Sequence, residues 1–198
     1  MKILILTTQP PFPPINGVRI KIYHLLRGLH ERGHEIYLVS FVKNPSECTS
    51  SVISELNKYC KGMIFCPLRD NDLKRLVKNI VKNFGKKEII LFRFNSEYLT
   101  NTLLHILKSE YIDIAHFDLI SLTQYVKYVS RSTSSVASIN DSYSLLLREM
   151  LFSKPFPTMK SLLEKAYYTI TFPLGTMYER SFYERFQKVH VVSEVDGE

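Results

Sequence analysis

His116 and Asp118 close the apolar run Ile112-Asp-Ile-Ala-His-Phe-Asp118, and side chains of these types at the carboxyl end of a strand are placed to meet a ligand. An imidazole there can donate to a hydroxyl or a phosphate and titrates near neutral pH when unperturbed. Asp141 stands just beyond the next apolar run, and Arg148 lies in the segment that follows it. A second group occupies the loop Gln9-Pro-Pro-Phe-Pro-Pro-Ile-Asn-Gly-Val-Arg19. Asn16, Gly17 and Arg19 mark the start of a helix there, where a residue without Cβ lets backbone N–H groups approach an anion that the helix dipole also favours. Each residue has a plainer reading as well. A lone glycine also serves to permit a turn, a lone histidine at a strand end is more often structural, and Asp141 is placed to cap the helix that carries Arg148.

The elements that must position these groups follow from periodicity. Lys2-Ile-Leu-Ile-Leu-Thr-Thr8 reads as a strand buried on both faces, and the prolines after it forbid continuation of strand or helix. From Val18 the period becomes helical through Ile22, Leu25, Leu26 and Leu29, with Arg19, Lys21, Arg27 and Arg32 on the other face, until Gly33 ends the helix. His34 to Phe41 is a second strand. Strand, helix and strand within about forty residues form one right-handed βαβ unit, so the predicted fold class is α/β with a doubly wound, mostly parallel, Rossmann-like sheet. Farther along, helices are expected over residues 46–59, 72–85, 119–129 and most of 160–186, the last interrupted near Pro173-Leu-Gly175. A further helix begins at a Ser96 cap. Strands are expected at 62–68, 112–118, 136–139 and 188–193, and 88–94 is a possible short strand.

Composition narrows the classes. The chain has 198 residues, 45% of them hydrophobic, enough to bury the core of one large α/β domain over 1–198 rather than two small ones. No apolar run reaches the length of a membrane span, and the apolar start is too short for a signal peptide. Cys48, Cys60 and Cys66 show neither CxxC nor Cys/His spacing, which fits free thiols in a reducing cytoplasm. Catalytic Ser/His/Asp order, a nucleophile elbow, a phosphate-binding Walker loop and a metal-binding His pair are all missing from the sequence. The net charge is +7, and residues 58–93, where ten cations face only Asp70, Asp72 and Glu88, hold the whole excess. Such a block implies an anionic partner.

Four ordered motifs carry a family resemblance: Pro13-Pro-Ile-Asn-Gly-Val-Arg19, Leu29-His-Glu-Arg-Gly-His-Glu-Ile-Tyr-Leu-Val39, Asp113-Ile-Ala-His116 and Val191-Val-Ser193. Together they resemble the amino-terminal domain of retaining GT-B glycosyltransferases of glycosyltransferase family 4. Asn140-Asp-Ser-Tyr-Ser144 ahead of Arg148 is similar to a subgroup associated with exopolysaccharide synthesis. The resemblance implies two Rossmann-like domains facing a cleft, with the acceptor held mainly by this domain. The nucleotide-sugar is held by a carboxyl-terminal domain expected to lie beyond Glu198. By the same analogy, the backbone at Gly17, with Asn16 and Arg19 beside it, approaches the donor diphosphate, and His116 reaches the transferred sugar as the catalytic residue. Asp118, Asp141 and Arg148 then face the acceptor. Two departures from the pattern stand out: Asn16-Gly17 where many relatives have Gly-Gly, and Asp118 where they have a second histidine.

The activity so implied is transfer of a sugar from a nucleotide-sugar to a hydroxyl acceptor, a glycan or a lipid-linked one, with retention and without a metal or other cofactor. This domain alone is expected to be inactive. The alternative is a stand-alone Rossmann-like module that binds an anionic ligand or nucleic acid without chemistry. Aromatic residues do not interleave with the cations as in single-strand binders, so nucleic acid is not the expected partner. The helix at 72–85 sets Lys74, Arg75, Lys78 and Lys82 opposite an apolar stripe. That is the pattern of an ordinary sheet-covering helix, or of one that docks a cytoplasmic enzyme on the anionic inner face of a membrane.

Overall fold

Ile3, Leu4, Ile5 and Leu6 are buried in succession, so β1 (Lys2–Thr7) is covered on both faces, as a central strand of a parallel sheet must be. The structure is a computed structural model that describes residues 1–68, 94–139 and 181–191, together with 148, 165, 169, 172–174 and 176–179. Chain order after β1 runs α1 (Gly17–Glu31), β2 (Glu35–Val42), α2 (Ser50–Leu56), β3 (Gly62–Pro67), α3 (Glu97–Ser109), β4 (Ile114–Asp118), β5 (Ser134–Ile139) and β6 (Lys188–Val191). The strands form one six-stranded sheet of order β3-β2-β1-β4-β5-β6 in which every pairing is parallel. Winding reverses between β1 and β4, which is the doubly wound α/β topology expected, with its switch point at those two strands.

Alternation along the strands divides the core in two. Ile3, Ile5, Ile36 and Leu38 meet Ile22 and Leu26 of α1 and Val52 and Leu56 of α2 on one face. Leu4, Leu6, Val39, Phe117 and Ala137 meet Leu99, Leu103 and Ile106 of α3, with Tyr178, Phe182 and Phe186, on the other. Local signals set the helix ends. The Asn16 side chain accepts from Arg19 N–H to cap α1, and Ser96 caps α3 by accepting from Leu99 N–H. Gly33, with φ 75°, supplies the left-handed residue that stops α1 and admits β2.

Three expectations change. The helix expected over 46–59 is divided: Pro45–Cys48 is a short 3₁₀ turn, and α2 starts afresh because the Thr49 hydroxyl accepts from Val52 N–H. The segment expected as a helix over 119–129 is a 3₁₀ helix, Ile120–Tyr128, entered through Leu119 at φ 74°. Thr123 there donates to the Ile120 carbonyl at 2.6 Å, and Tyr125 Oη both donates to Phe94 O and accepts from Ser96 N–H, which holds the segment against the start of α3. Third, the strands expected at 112–118 and 136–139 are β4 and β5 with shifted starts, while β6 starts at Lys188 as expected and residues 192–193 lie outside the described residues. Within 160–186 the described residues up to 182 are helical, Pro173 included, and Tyr183–Arg185 is a 3₁₀ turn. The helix expected at 72–85 and the strand at 88–94 lie outside the described residues, apart from Phe94.

Leu26 is fully buried between α1 and the sheet, and deleting its branched side chain leaves a cavity at the α1 face. Leu26→Ala is therefore expected to lower stability by about 2–5 kcal/mol, read from urea unfolding midpoints at unchanged slope.

Candidate functional site

Register places one polar side chain at or near the carboxyl end of each of five neighbouring strands. Thr7 pairs with Ser40, Asp118 with Ser138, and Ser138 with His190, while Leu6 opposite Phe117 sets Thr7 beside Asp118. Residues in register point to the same side, here the α1 side of the sheet, so Ser40, Thr7, Asp118, Ser138 and His190 form one polar row across its edge. His116 lies two residues before Asp118 on the same side, one step deeper.

Lys21 of α1 reaches down to this row. Its ammonium forms an ion pair with Asp118 and donates to Ser138 Oγ at 3.1 Å, and Ser138 Oγ stands 3.4 Å from His190 Nδ1. Asp118 is wholly inaccessible to solvent. Burial pushes its carboxyl above the ordinary carboxylate range, and the Lys21 ammonium and the Thr7 hydroxyl work against that shift. The Lys21 ammonium thus offsets part of the burial penalty on that carboxyl. Helical spacing assigned Lys21 to the solvent side of α1 together with Arg19. At the first turns, however, that side overlies the end of the sheet, and neither cation is a free surface charge.

His116 departs from the expectation of titration near neutrality. Burial first, then the positive charge of Lys21 and, when it is protonated, that of His190, pushes its imidazole down to about 4. Its Nδ1 is sealed from solvent and has no protein hydrogen-bond partner among the described residues. At pH 7 the ring is a neutral donor and acceptor rather than a cation. β4 also continues past His116 to Asp118, so the histidine sits within the strand and the aspartate at its tip.

The start of α1 is held by a side-chain lattice. Gln9 and Asn16 exchange amide hydrogen bonds at 3.2 and 3.3 Å, and Thr7 Oγ1 donates to the Gln9 carbonyl. Arg19 is 8% exposed; its Nε donates to Gln9 Oε1 at 3.1 Å and a terminal nitrogen pairs with Glu47 at 3.0 Å. Its guanidinium therefore fastens the proline loop to the Glu47 turn. Asn16 and Gly17 are exposed at the helix start. A Cβ added at Gly17 would meet nothing within 4 Å, and its φ is not in the left-handed region, so neither packing nor the turn requires glycine there. The cap takes the Arg19 N–H, and the amides of Gly17 and Val18 belong to the first turn, whose N–H groups have no partner within the helix.

Of the residues singled out from sequence, His116 and Asp118 lie on β4 beside the β1–β4 switch point, and Asn16 and Gly17 stand at the start of α1, the helix whose Lys21 pairs with Asp118. Arg19 joins them as a support. Arg148 is helical and exposed, and Asp141, Lys74, Arg75, Lys78 and Lys82 lie outside the described residues. Sequence reasoning missed Thr7, Gln9, Lys21, Ser138 and His190. The available signal was that β1, β2, β4 and β5 each place a polar residue at or near the end of an apolar run, a pattern that register turns into a row. Among the described residues no group of three His, Cys, Asp or Glu side chains is arranged to hold a metal, and no helix is long and apolar enough to cross a membrane.

No family model and no curated protein matches the chain. Among solved structures it is similar to the complex between a UDP-glucosyltransferase from Polygonum tinctorium capable of glucosylating indoxyl and 3,4-dichloroaniline, with TM-score 0.52 and 11% identity over 97% of this chain and 46% of that one. The chain has a glycosyltransferase-like fold. Its six parallel strands and flanking helices correspond to one Rossmann-like half of the GT-B architecture, and it spans slightly less than half the length of that structure.

The low His116 pKa gives a stability signature. A group whose folded pKa lies below its unfolded value contributes stability that is present above the unfolded value, near 6.5, and is lost as pH falls through about 4. Across that interval the native protein is expected to lose about 1–3 kcal/mol more than His116→Gln, as measured by urea unfolding at successive pH values. Parallel pH curves for the two proteins would show that the ring is not held neutral.

Proposed function

We propose that this chain is the acceptor-side domain of a glycosyltransferase that moves a sugar from a nucleotide-sugar to a hydroxyl of a glycan or lipid-linked acceptor, with retention of configuration. The observation that carries the reading is the polar row at the switch point of a GT-B-like half, with a neutral histidine beneath it and an uncovered helix start beside it. In open α/β sheets a ligand binds outside the carboxyl ends of the strands at the switch point, which is where these side chains stand. The ordered motifs around Gly17, Gly33, His116 and Val191 add the resemblance to glycosyltransferase family 4, and retention rests on that resemblance.

In this reading the Gly17 and Val18 amides take the donor diphosphate, and Asn16 holds the cap that aims them. Arg19 contributes by fixing the loop. Charge on the departing diphosphate is met by the helix start and by cations of a second, nucleotide-sugar-binding domain, so no metal is required. The neutral His116 hydrogen-bonds the transferred sugar. A neutral ring suits this role, because it adds a directed donor or acceptor without placing a second cation beside Lys21. Asp118, with Asp141 and Arg148, lies toward the acceptor. By itself the chain is expected to show no turnover, since the donor is bound mainly by the other domain.

His116→Ala in the two-domain enzyme is expected to reduce kcat/KM by about one to three orders of magnitude, roughly 1.4–4 kcal/mol of transition-state stabilisation, while the unfolding temperature stays near that of the native enzyme. The assay is a screen of nucleotide-sugars against glycan and lipid-linked acceptors. A lowered unfolding temperature with a near-normal rate per folded molecule would make the histidine structural. Turnover by the 198 residues alone would remove the requirement for a second domain.

The acceptor class decides where the enzyme works. For a lipid-linked acceptor, Lys74, Arg75, Lys78 and Lys82 dock a cytoplasmic enzyme on the anionic inner leaflet, each gaining about 1 kcal/mol near the surface. Co-sedimentation is then expected with anionic vesicles only, weakened by salt and by changing the four residues to Gln. Absence of binding to either vesicle type would point to a soluble glycan acceptor.

A further inference from the structure

Following the direction of each hydrogen bond in the polar row assigns a tautomer to His190. Lys21 Nζ has only protons to give, so in its contact with Ser138 the hydroxyl oxygen accepts. Ser138 is 3% exposed, and its own proton needs an acceptor. Asp118, its register neighbour, makes no hydrogen bond to it, whereas His190 Nδ1 lies 3.4 Å away. Donation therefore runs from Lys21 to Ser138 to His190, and a neutral imidazole that receives at Nδ1 carries its proton on Nε2. His190 is exposed on β6, so Nε2 is the nitrogen left for a ligand.

The charge of this corner narrows what that ligand is. Lys21 is ion-paired with Asp118, His116 adds no charge at neutral pH, and the exposed Lys188 stands two residues before His190 on the same side of β6. At the strand ends the cation among the described residues is the paired Lys21, and directed donors and acceptors there suit a hydroxyl, which both gives and receives a hydrogen bond.

We propose that His190 is a further acceptor-contacting residue, whose Nε2–H, set by Ser138, donates to an uncharged hydroxyl of a sugar or polyol beside the Lys21–Asp118 pair. The word acceptor rests on the transferase reading; the preference for a neutral hydroxyl belongs to this chain by itself.

The test is long-range ¹H–¹⁵N correlation of the histidine rings at pH 8, where imidazoles are neutral, with His190 assigned through His190→Gln. The native chain is expected to show the Nε2–H tautomer at His190, and Ser138→Ala a mixture of the two. Methyl α-glucopyranoside is expected to shift the His190 signals, and inorganic phosphate at the same concentration to leave them in place. His190→Gln, whose amide can stand in for Nε2–H, should bind the glycoside within about threefold of the native chain, and His190→Phe roughly tenfold more weakly. An Nδ1–H tautomer in the native chain, an unchanged spectrum in Ser138→Ala, His190 signals that the glycoside does not move, or a response to phosphate overturns the proposal. Glycoside binding with these signatures, but no transfer by the two-domain enzyme, would keep this inference and remove the transferase reading.

Discussion

A carboxylate with no exposure to water is costly unless a cation reaches it, and Asp118 sits in that condition at the tip of a central strand. Among the described residues the cation that reaches it is Lys21, which arrives from a different element. The pairing ties α1 to β4, and its second contact, to Ser138, extends the tie to β5. Lys21 is one helical turn beyond Gly17, so placing its ammonium over Asp118 also places the open start of α1 over the β1–β4 switch point. The lattice of Gln9, Asn16, Arg19 and Glu47 then holds the entering loop. The same ammonium, with burial, keeps His116 unprotonated. The ion pair thus ties the helix to the strand, and its ammonium adds to the burial that keeps the histidine neutral.

The sheet can carry this polar edge because alternation keeps it to one face and one row. The residues just before the row, Leu6, Phe117, Ala137 and Val189, point the other way and pack against or into the second core. Below the row on the α1 side, Ile5, Leu38 and Ile3 are again buried and apolar. Polarity grows along that side from β1 toward β6, where Lys188 and His190 are exposed, while α1 and α2 cover the β1–β2 part. The polar row thus stands near the strand ends, beside α1, without opening either core.

Much of the fold was legible because its signals are local. The apolar run of β1, the switch to helical spacing at Val18, the Asn16 and Ser96 caps and Gly33 each act within a few residues, and together they specify a doubly wound sheet. The divided helix at 45–56 and the 3₁₀ segment at 120–128 were not legible. Their outcome turns on which hydroxyl or carbonyl wins a hydrogen bond, as Thr49 does at Val52 and Thr123 at Ile120. The site was legible in part for the same reason. His116 and Asp118 announce themselves by ending an apolar run, but Lys21 is an ordinary surface lysine until register and helix position bring it over β4 and β5. Arg19 shows the reverse error: a cation beside a candidate phosphate site turns out to be held by Glu47 and Gln9, a partnership between residues 28 and 10 positions away.

Gly17 is where the structure separates two explanations that the sequence leaves equal. If the glycine served the turn, its φ would be positive, as at Gly33, where a side chain would be strained. If it served packing, an added Cβ would press on a neighbour, as at Gly28 and Gly62, where one would come within 3.2 Å of Arg32 and Tyr37. At Gly17 neither holds: the backbone is ordinary, and no described residue comes within 4 Å of where a side chain would start. Glycine at a helix start is also a weaker choice than residues that lose less backbone freedom on folding. What the missing side chain does provide is clearance at the first turn of the helix whose Lys21 pairs with Asp118. Among the described residues none fills that clearance, and a ligand that approaches the backbone would use it.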